Sequence, residues 1–244
     1  MTFKEWLSTA TKKDGTPLSL RTIEHYADGL SIVSKEMLEY NVIQKKIEDM
    51  ELYELDLAIA LIFKNEKFIS KNKKGNNMYS NALKRFRCYK YYNTDLGVQE
   101  IAEEEIIKKD INLSITEKDT IIKARRGQGI YREMLMKKYN RSCIMTKIDI
   151  NQVLVASHIK PWAVCNNQER IDVNNGLLLS ATYDRLFDSG LITFDYNGKL
   201  KISSLINKDN ADKLNISNGL VYDIKFNFNM FEYIKYHNEI IFIA

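Results

Sequence analysis

The chain has little of what disulfide, zinc-knuckle and membrane proteins depend on. Cys88, Cys143 and Cys165 are its three cysteines, scattered, odd in number and never spaced CxxC. That argues against a disulfide framework and against a structural zinc knuckle. No stretch approaches the roughly 20 apolar residues of a membrane span. The longest run, LDLAIALIF at 55–63, suits a core helix instead. The N-terminal MTFKEWLSTA carries charges where a secretory signal needs an apolar core, so a cytoplasmic location is expected. With 244 residues, 45% of them hydrophobic, the chain can bury a sizeable core as one large or two small domains.

Negative charge is almost missing from one region. Between Lys64 and Lys90 stand nine basic residues against Glu66 alone, a run that attracts a polyanion or forms a solvated lysine-rich surface. In NNMYSNALKRFRCYKYYN a helical projection gathers Met78, Tyr79, Ala82, Phe86 and Tyr89 on one arc, with Lys84, Arg87 and Lys90 on the adjoining one. Two readings stand open: a packed face beside a phosphate-binding one, or a core helix with solvated lysines. Residues 98–119 reverse the sign, with seven acidic residues against three lysines, and are expected to form a helical connector facing solvent and away from DNA. Upstream, Thr2 and Glu5 fit a capping box before a helix over FKEWLSTA, and Ser19 can cap a second. The block at 50–63 supplies another, so everything up to about residue 95 reads as helical.

Histidine is as scarce as cysteine, with three in the chain. One of them, His158, closes the run LVASH, where Val153, Leu154 and Val155 favour a strand and Pro161 stops regular pairing. Taken alone, such a histidine is more often structural than chemical. Downstream of it lies a compact ββα pattern: Asn174 and Asn175, then Gly176 and Leu177–Leu179, then Ser180 as a cap for TYDRLFDS, which Gly190 terminates. Asp184 and Asp188 lie four residues apart and share a helix face. LITFDYNGKLKIS then reads as a hairpin turning at Asn197 and Gly198.

The ordered set RRGQGIYREML, SCIMT, ASHIKPW, NNGLLLSATYDRLFDSGLITFD and the hairpin after it resembles the HNH nuclease domain of the ββα-metal superfamily, in the form common among bacterial HNH restriction endonucleases. The later FEYIKYHNEIIF is also similar to the tail of such enzymes, and the likeness covers somewhat more than half the chain. It implies an α+β fold: a helical DNA-recognition domain at 1–95, an acidic helical connector at 96–119, and an HNH nuclease domain with a C-terminal extension at 120–244.

The resemblance also implies roles. His158 matches the general base that takes a proton from water. Asn175 matches the asparagine that holds the histidine-bearing loop. Asp184 stands where the family's last histidine or asparagine coordinates a metal, making this an H-N-D variant. A carboxylate there suits Mg²⁺, with Mn²⁺ as the alternative, better than imidazole does. The products expected are a 5′ phosphate and a 3′ hydroxyl. One departure concerns the position before the base, where many members place an acidic or histidine ligand and this chain has Ser157. Ser157 and Asp188 are further candidates for the metal, although for Asp188 a hydrogen bond at its helix end is the commoner use. The family's two CxxC pairs are absent, so no structural zinc is expected.

Arg125, Arg126, Gln128 and Arg132 surround glycines at a helix start and are read either as DNA-backbone contacts or as a brace for the site. Lys160 and Trp162, just past the base, are further candidates for DNA contact, the tryptophan being more often packing. The expected function is a type II restriction endonuclease acting on double-stranded DNA. A homodimer is the simplest way for one site per chain to cut both strands. Nicking, homing, modification-dependent or catalytically inactive DNA-binding relatives are the alternatives.

Overall fold

The N-terminal segment folds as a set of helices whose starts are written into the sequence. The computed structural model describes residues 1–12, 14–94, 96–125, 129–224 and 226–244. Helix α1 (Phe3–Thr9) opens with the expected capping box: Thr2 N–H donates to Glu5 Oε2 at 2.6 Å, and Glu5 N–H donates to Thr2 Oγ1 at 3.3 Å. Ser19 Oγ accepts from Thr22 N–H at 3.2 Å at the start of α2 (Leu20–Glu39). Helices α3 (Leu52–Ile62), α4 (Glu66–Lys74) and α5 (Met78–Asn93) come next, then α6 (Leu96–Lys109) and α7 (Ile115–Arg125).

Helix α5 departs from the expected amphipathic pattern because other elements cover it nearly all round. Ala82 and Phe86 are buried as projected, but so are Arg85 and Arg87. Lys84 reaches across to donate to the Phe242 carbonyl at 2.9 Å. Part of the basic run is thus used within the protein, where Lys71 pairs with Glu36 and Lys67 lies 3.9 Å above the Tyr40 ring, while Lys64, Lys73 and Lys74 stay exposed. The acidic connector, expected to face solvent, turns two of its carboxylates inward. Glu103 and Glu104 are each only 2% exposed, and the α6–α7 pair packs Ile107 and Ile121 against Trp162. Charge sign alone says nothing about which way a helix faces when a basic partner waits inside.

Helix α8 (Gly129–Lys138) leads into the second half. Strand β1 (Leu154–His158) pairs antiparallel with β2 (Gly176–Ser180), setting Ser157 opposite Leu177 and His158 opposite Gly176. Helix α9 (Ala181–Asp188) starts at once, as the ββα pattern required. All three leucines of β2 are fully buried, because α8 and α9 both contact this two-stranded sheet. Burial of each contributes about 1.5–3 kcal/mol. The hairpin pairs β3 (Ile192–Phe194) with β4 (Leu200–Ile202). Helices α10 (Lys208–Lys213) and α11 (Phe228–Tyr236) come next, and α11 runs into a single π-helical turn, His237–Ile241.

The packing joins early and late parts of the chain. One core gathers Trp6, Leu7, Ile23 and Cys88 with Leu177–Leu179, Phe187 and Phe194. A second gathers Leu30, Val33, Leu55, Ile59 and Phe86 with Ile240 and Ile241. Gly190, at φ +77°, closes α9 where a Cβ would stand 2.3 Å from the Ile241 carbonyl oxygen. Its own carbonyl accepts from Ile243 N–H at 3.0 Å. A side chain at 190 would therefore be strained twice, by backbone conformation and by collision.

Candidate active site

Strand β1, the loop after it and α9 place their polar side chains around one cavity of about 380 Å³, lined by Ser157, His158, Asp184 and Asp188. The opposite wall comes from the helical half: Asp56, Arg87, Glu103 and, from the end of α7, Arg125.

His158 Nε2–H donates to the Arg170 carbonyl at 2.9 Å. That bond fixes the tautomer and leaves the lone pair on Nδ1. Burial pushes the imidazole down to about 4, helped by the Arg125 and Arg170 cations and opposed by the Arg170 carbonyl. The ring is therefore neutral at neutral pH. Its face lies parallel to Tyr131, with centroids 4.7 Å apart and planes 12° apart.

Asn175 is fully buried in the turn before β2, and every polar atom of its amide has a use. Its Oδ1 accepts from Lys160 N–H at 2.8 Å, while Nδ2 donates to the Glu169 carbonyl at 3.1 Å and to Cys165 Sγ at 3.2 Å. One side chain thereby ties together both ends of the loop that comes after His158. The loop is further stiffened by Lys160, whose ammonium meets both Glu169 carboxylate oxygens at 2.7–2.8 Å.

Asp184 and Asp188 sit on one face of α9, half-buried, with access to water through the cavity. Burial pushes the Asp184 carboxyl up, opposed first by the neighbouring Ser157 hydroxyl and then by the Arg185 and Arg125 cations. Asp188 is pushed further, first by burial and then by the Asp184 charge. Among the described residues neither carboxylate accepts a hydrogen bond of good geometry. Ser157 Oγ is buried beside the Asp184 carboxyl, near enough to favour its charged form but outside good hydrogen-bond geometry.

Several expected DNA contacts have partners inside the protein. Arg87 forms a buried ion pair with Asp56 (2.5 and 3.1 Å) and donates to the Asp188 carbonyl at 2.7 Å. Arg132 donates to the Leu154 and Asn151 carbonyls at 3.0 and 2.9 Å, bracing the entry to β1. Lys84 bonds the Phe242 carbonyl and Lys160 the Glu169 carboxylate. Trp162 is packing, with the Arg170 guanidinium 4.0 Å above its ring. Arg125 pairs with Glu103 at the cavity wall, and Lys90 stays partly exposed. Arg126 and Gln128 lie outside the described residues.

Two participants escaped the sequence reading. Asp56 had a signal, a lone charge in an apolar block, which calls for a buried partner. His237 had none. It is a structural histidine: Nε2–H donates to the Phe187 carbonyl at 3.0 Å, and Nδ1 meets Thr193 Oγ1 at 2.8 Å, anchoring α9 from behind. Burial pushes it down to about 3.

A family model described as HNH endonuclease matches residues 143–195, which span β1, the Asn175 turn, β2, α9 and β3. The chain carries an HNH nuclease domain. No curated protein matches the chain. An HNH domain implies a nucleic-acid substrate, and HNH nucleases depend on a metal. Among the described residues no three His, Cys, Asp or Glu side chains surround a common point. Among the described residues the site instead offers the Asp184 and Asp188 carboxyls and the buried Ser157 hydroxyl, an all-oxygen set that fits a hard divalent cation with water completing its shell. No helix among the described residues is long and apolar enough to cross a membrane.

Proposed function

We propose that this HNH protein is a Mg²⁺-dependent endonuclease of restriction type that cuts double-stranded DNA, with Mn²⁺ as a substitute. The observation that carries the reading is His158, its Nε2 held at 2.9 Å by the Arg170 carbonyl, on one cavity with the Asp184 and Asp188 carboxyls. His158 takes the proton from a water that attacks phosphorus in line with the departing 3′ oxygen. Asn175 keeps the loop behind His158 from shifting. Asp184 is the first candidate to hold the cation, with Asp188 and Ser157 beside it. The cation would supply charge stabilisation to the phosphate and the leaving oxygen. The products in this scheme are 5′-phosphate and 3′-hydroxyl ends. Arg125 and Lys90 are the remaining described candidates for the DNA backbone, and the helices before residue 95 are the reading module. Two copies on a palindrome would cut both strands.

Incubating the purified protein with methylated and unmethylated plasmid tests this reading. Linear product with Mg²⁺ and none with EDTA is expected. Intact plasmid under every condition would sink the nuclease proposal, and nicked circles alone would replace the dimer by a one-strand cutter.

The carboxylates give a second prediction. Folded carboxyls with raised pKa values hold protons that the unfolded chain releases, so their contribution to stability falls as pH rises from the ordinary carboxylate range, about 4, through the raised folded values. A bound divalent cation offsets this penalty. The rise in unfolding midpoint on adding Mg²⁺ is therefore expected to grow with pH, and to vanish in an Asp184→Asn/Asp188→Asn double variant. A scanning-fluorimetry series showing the same midpoint with Mg²⁺ and EDTA at every pH would remove the metal from these residues.

A further inference from the structure

The segment GIYREML forms α8, and its inward face is built around the histidine. Tyr131 and Leu135, one turn apart, are both buried against β1, in a small cluster with Ala124 and Ala156. Arg132 fastens the same helix to the carbonyls at the entry to β1. The Tyr131 hydroxyl donates to the Asn175 carbonyl at 3.2 Å, and that oxygen also accepts from Ile159 N–H, the residue after His158, at 3.0 Å. A Cβ on Gly176 would stand 2.5 Å from the Tyr131 oxygen and 2.8 Å from the Leu135 methyls, so the tyrosine fits only because β2 begins with glycine.

The imidazole is otherwise held by one hydrogen bond at its edge, through Nε2. One edge contact leaves the ring able to tilt about that bond, which would swing Nδ1 away from a bound water. A parallel aromatic surface 4.7 Å away removes that freedom and keeps the ring in an offset stack.

We infer that Tyr131 is a positioning residue for the base: α8 presents its ring as the flat support that sets the plane of the His158 imidazole. The inference rests on the proposed role of His158. It gives α8 a function that does not depend on DNA contact, since Tyr131, Arg132 and Leu135 all meet β1 or the turn before β2.

Two readouts test it. In the unaltered protein the His158 Cε1–H proton resonance, identified by its loss in His158→Gln, is expected upfield of the His25 signal and in nuclear Overhauser contact with the Tyr131 ring. Tyr131→Leu, which keeps an apolar group but no ring, is expected to move that signal downfield and leave His237 unmoved. The same variant should lower the single-turnover cleavage rate by about 10- to 100-fold with DNA affinity preserved. Tyr131→Phe, which restores the ring without the hydroxyl, should recover most of the loss. An unshielded His158 in the unaltered protein would overturn the inference, as would full activity in Tyr131→Leu or equal loss in Tyr131→Phe. Undiminished cleavage by His158→Gln would instead refute the role of the base, and the resonance would still report on the stack. The spectrum of the unaltered protein decides the point even where a variant fails to fold.

Discussion

A His158→Ala variant is expected to cleave DNA about 10²- to 10⁴-fold more slowly than the unaltered protein while remaining folded. The size of the loss reflects the pinned tautomer. The other imidazole on the cavity wall, His237, has both ring nitrogens engaged, by the Phe187 carbonyl and Thr193 Oγ1, while Asp184 and Asp188 are proposed to face the cation and the Glu103 carboxylate is paired with Arg125. The ring's own value of about 4 means that mildly acidic buffer does not protonate it. The ratio between variant and unaltered protein should therefore hold steady from neutral to mildly acidic pH. Folding should survive because the variant loses one hydrogen bond to a carbonyl, worth about 0.5–1.5 kcal/mol, and one stacking contact. Single-turnover rates alongside circular dichroism measure both halves. A rate within a few-fold of the unaltered protein would mean that another group takes the proton.

Arg87→Ala should act on the opposite quantity, destabilising the protein by about 3–5 kcal/mol. Arg87 and Asp56 are 4% and 3% exposed, so water offers little in place of a lost partner. Truncating the arginine leaves the Asp56 carboxylate buried without its partner and the Asp188 carbonyl without its donor. Removing both charges at once, as Asp56→Leu/Arg87→Met, should recover much of the lost stability, because the penalty lies in the orphaned charge more than in the missing attraction. It would not restore the bond that fixes the end of α9, so Mg²⁺-dependent cleavage should stay impaired. Chemical denaturation supplies the numbers, and a loss under about 1 kcal/mol for Arg87→Ala would show that water reaches Asp56.

How much of this was legible depended on the distance along the chain. His158, Asn175 and Asp184 fall within one strand, loop, strand and helix, and local pattern placed those elements correctly. The capping box at Thr2 and the hairpin at Gly198 were legible for the same reason. Arg87 was not, since periodicity sorts residues into arcs and cannot tell which arcs neighbours will cover. Its partners, Asp56 and the end of α9, lie 31 and 101 residues away. Glu103 was misplaced for the same reason: its acidic neighbourhood looked solvated, but Arg125, 22 residues on, draws it inward. The glycine in NNGLLL carried a signal that needed the fold to interpret, because only the position of Tyr131 explains why a side chain is forbidden there.

The contact between Gly190 and the turn at Ile241 has a consequence in time. The cavity has walls from both ends of the sequence: Asp56 and Arg87 from one, His237 and Ile241 from the other. Contacts between such distant residues, like the one joining Lys84 to Phe242 across 158 positions, form only after long loops have closed. A chain whose ββα unit has already taken shape therefore still lacks a finished cavity. The cavity is complete only when residues 237–243 have packed against both cores behind α9.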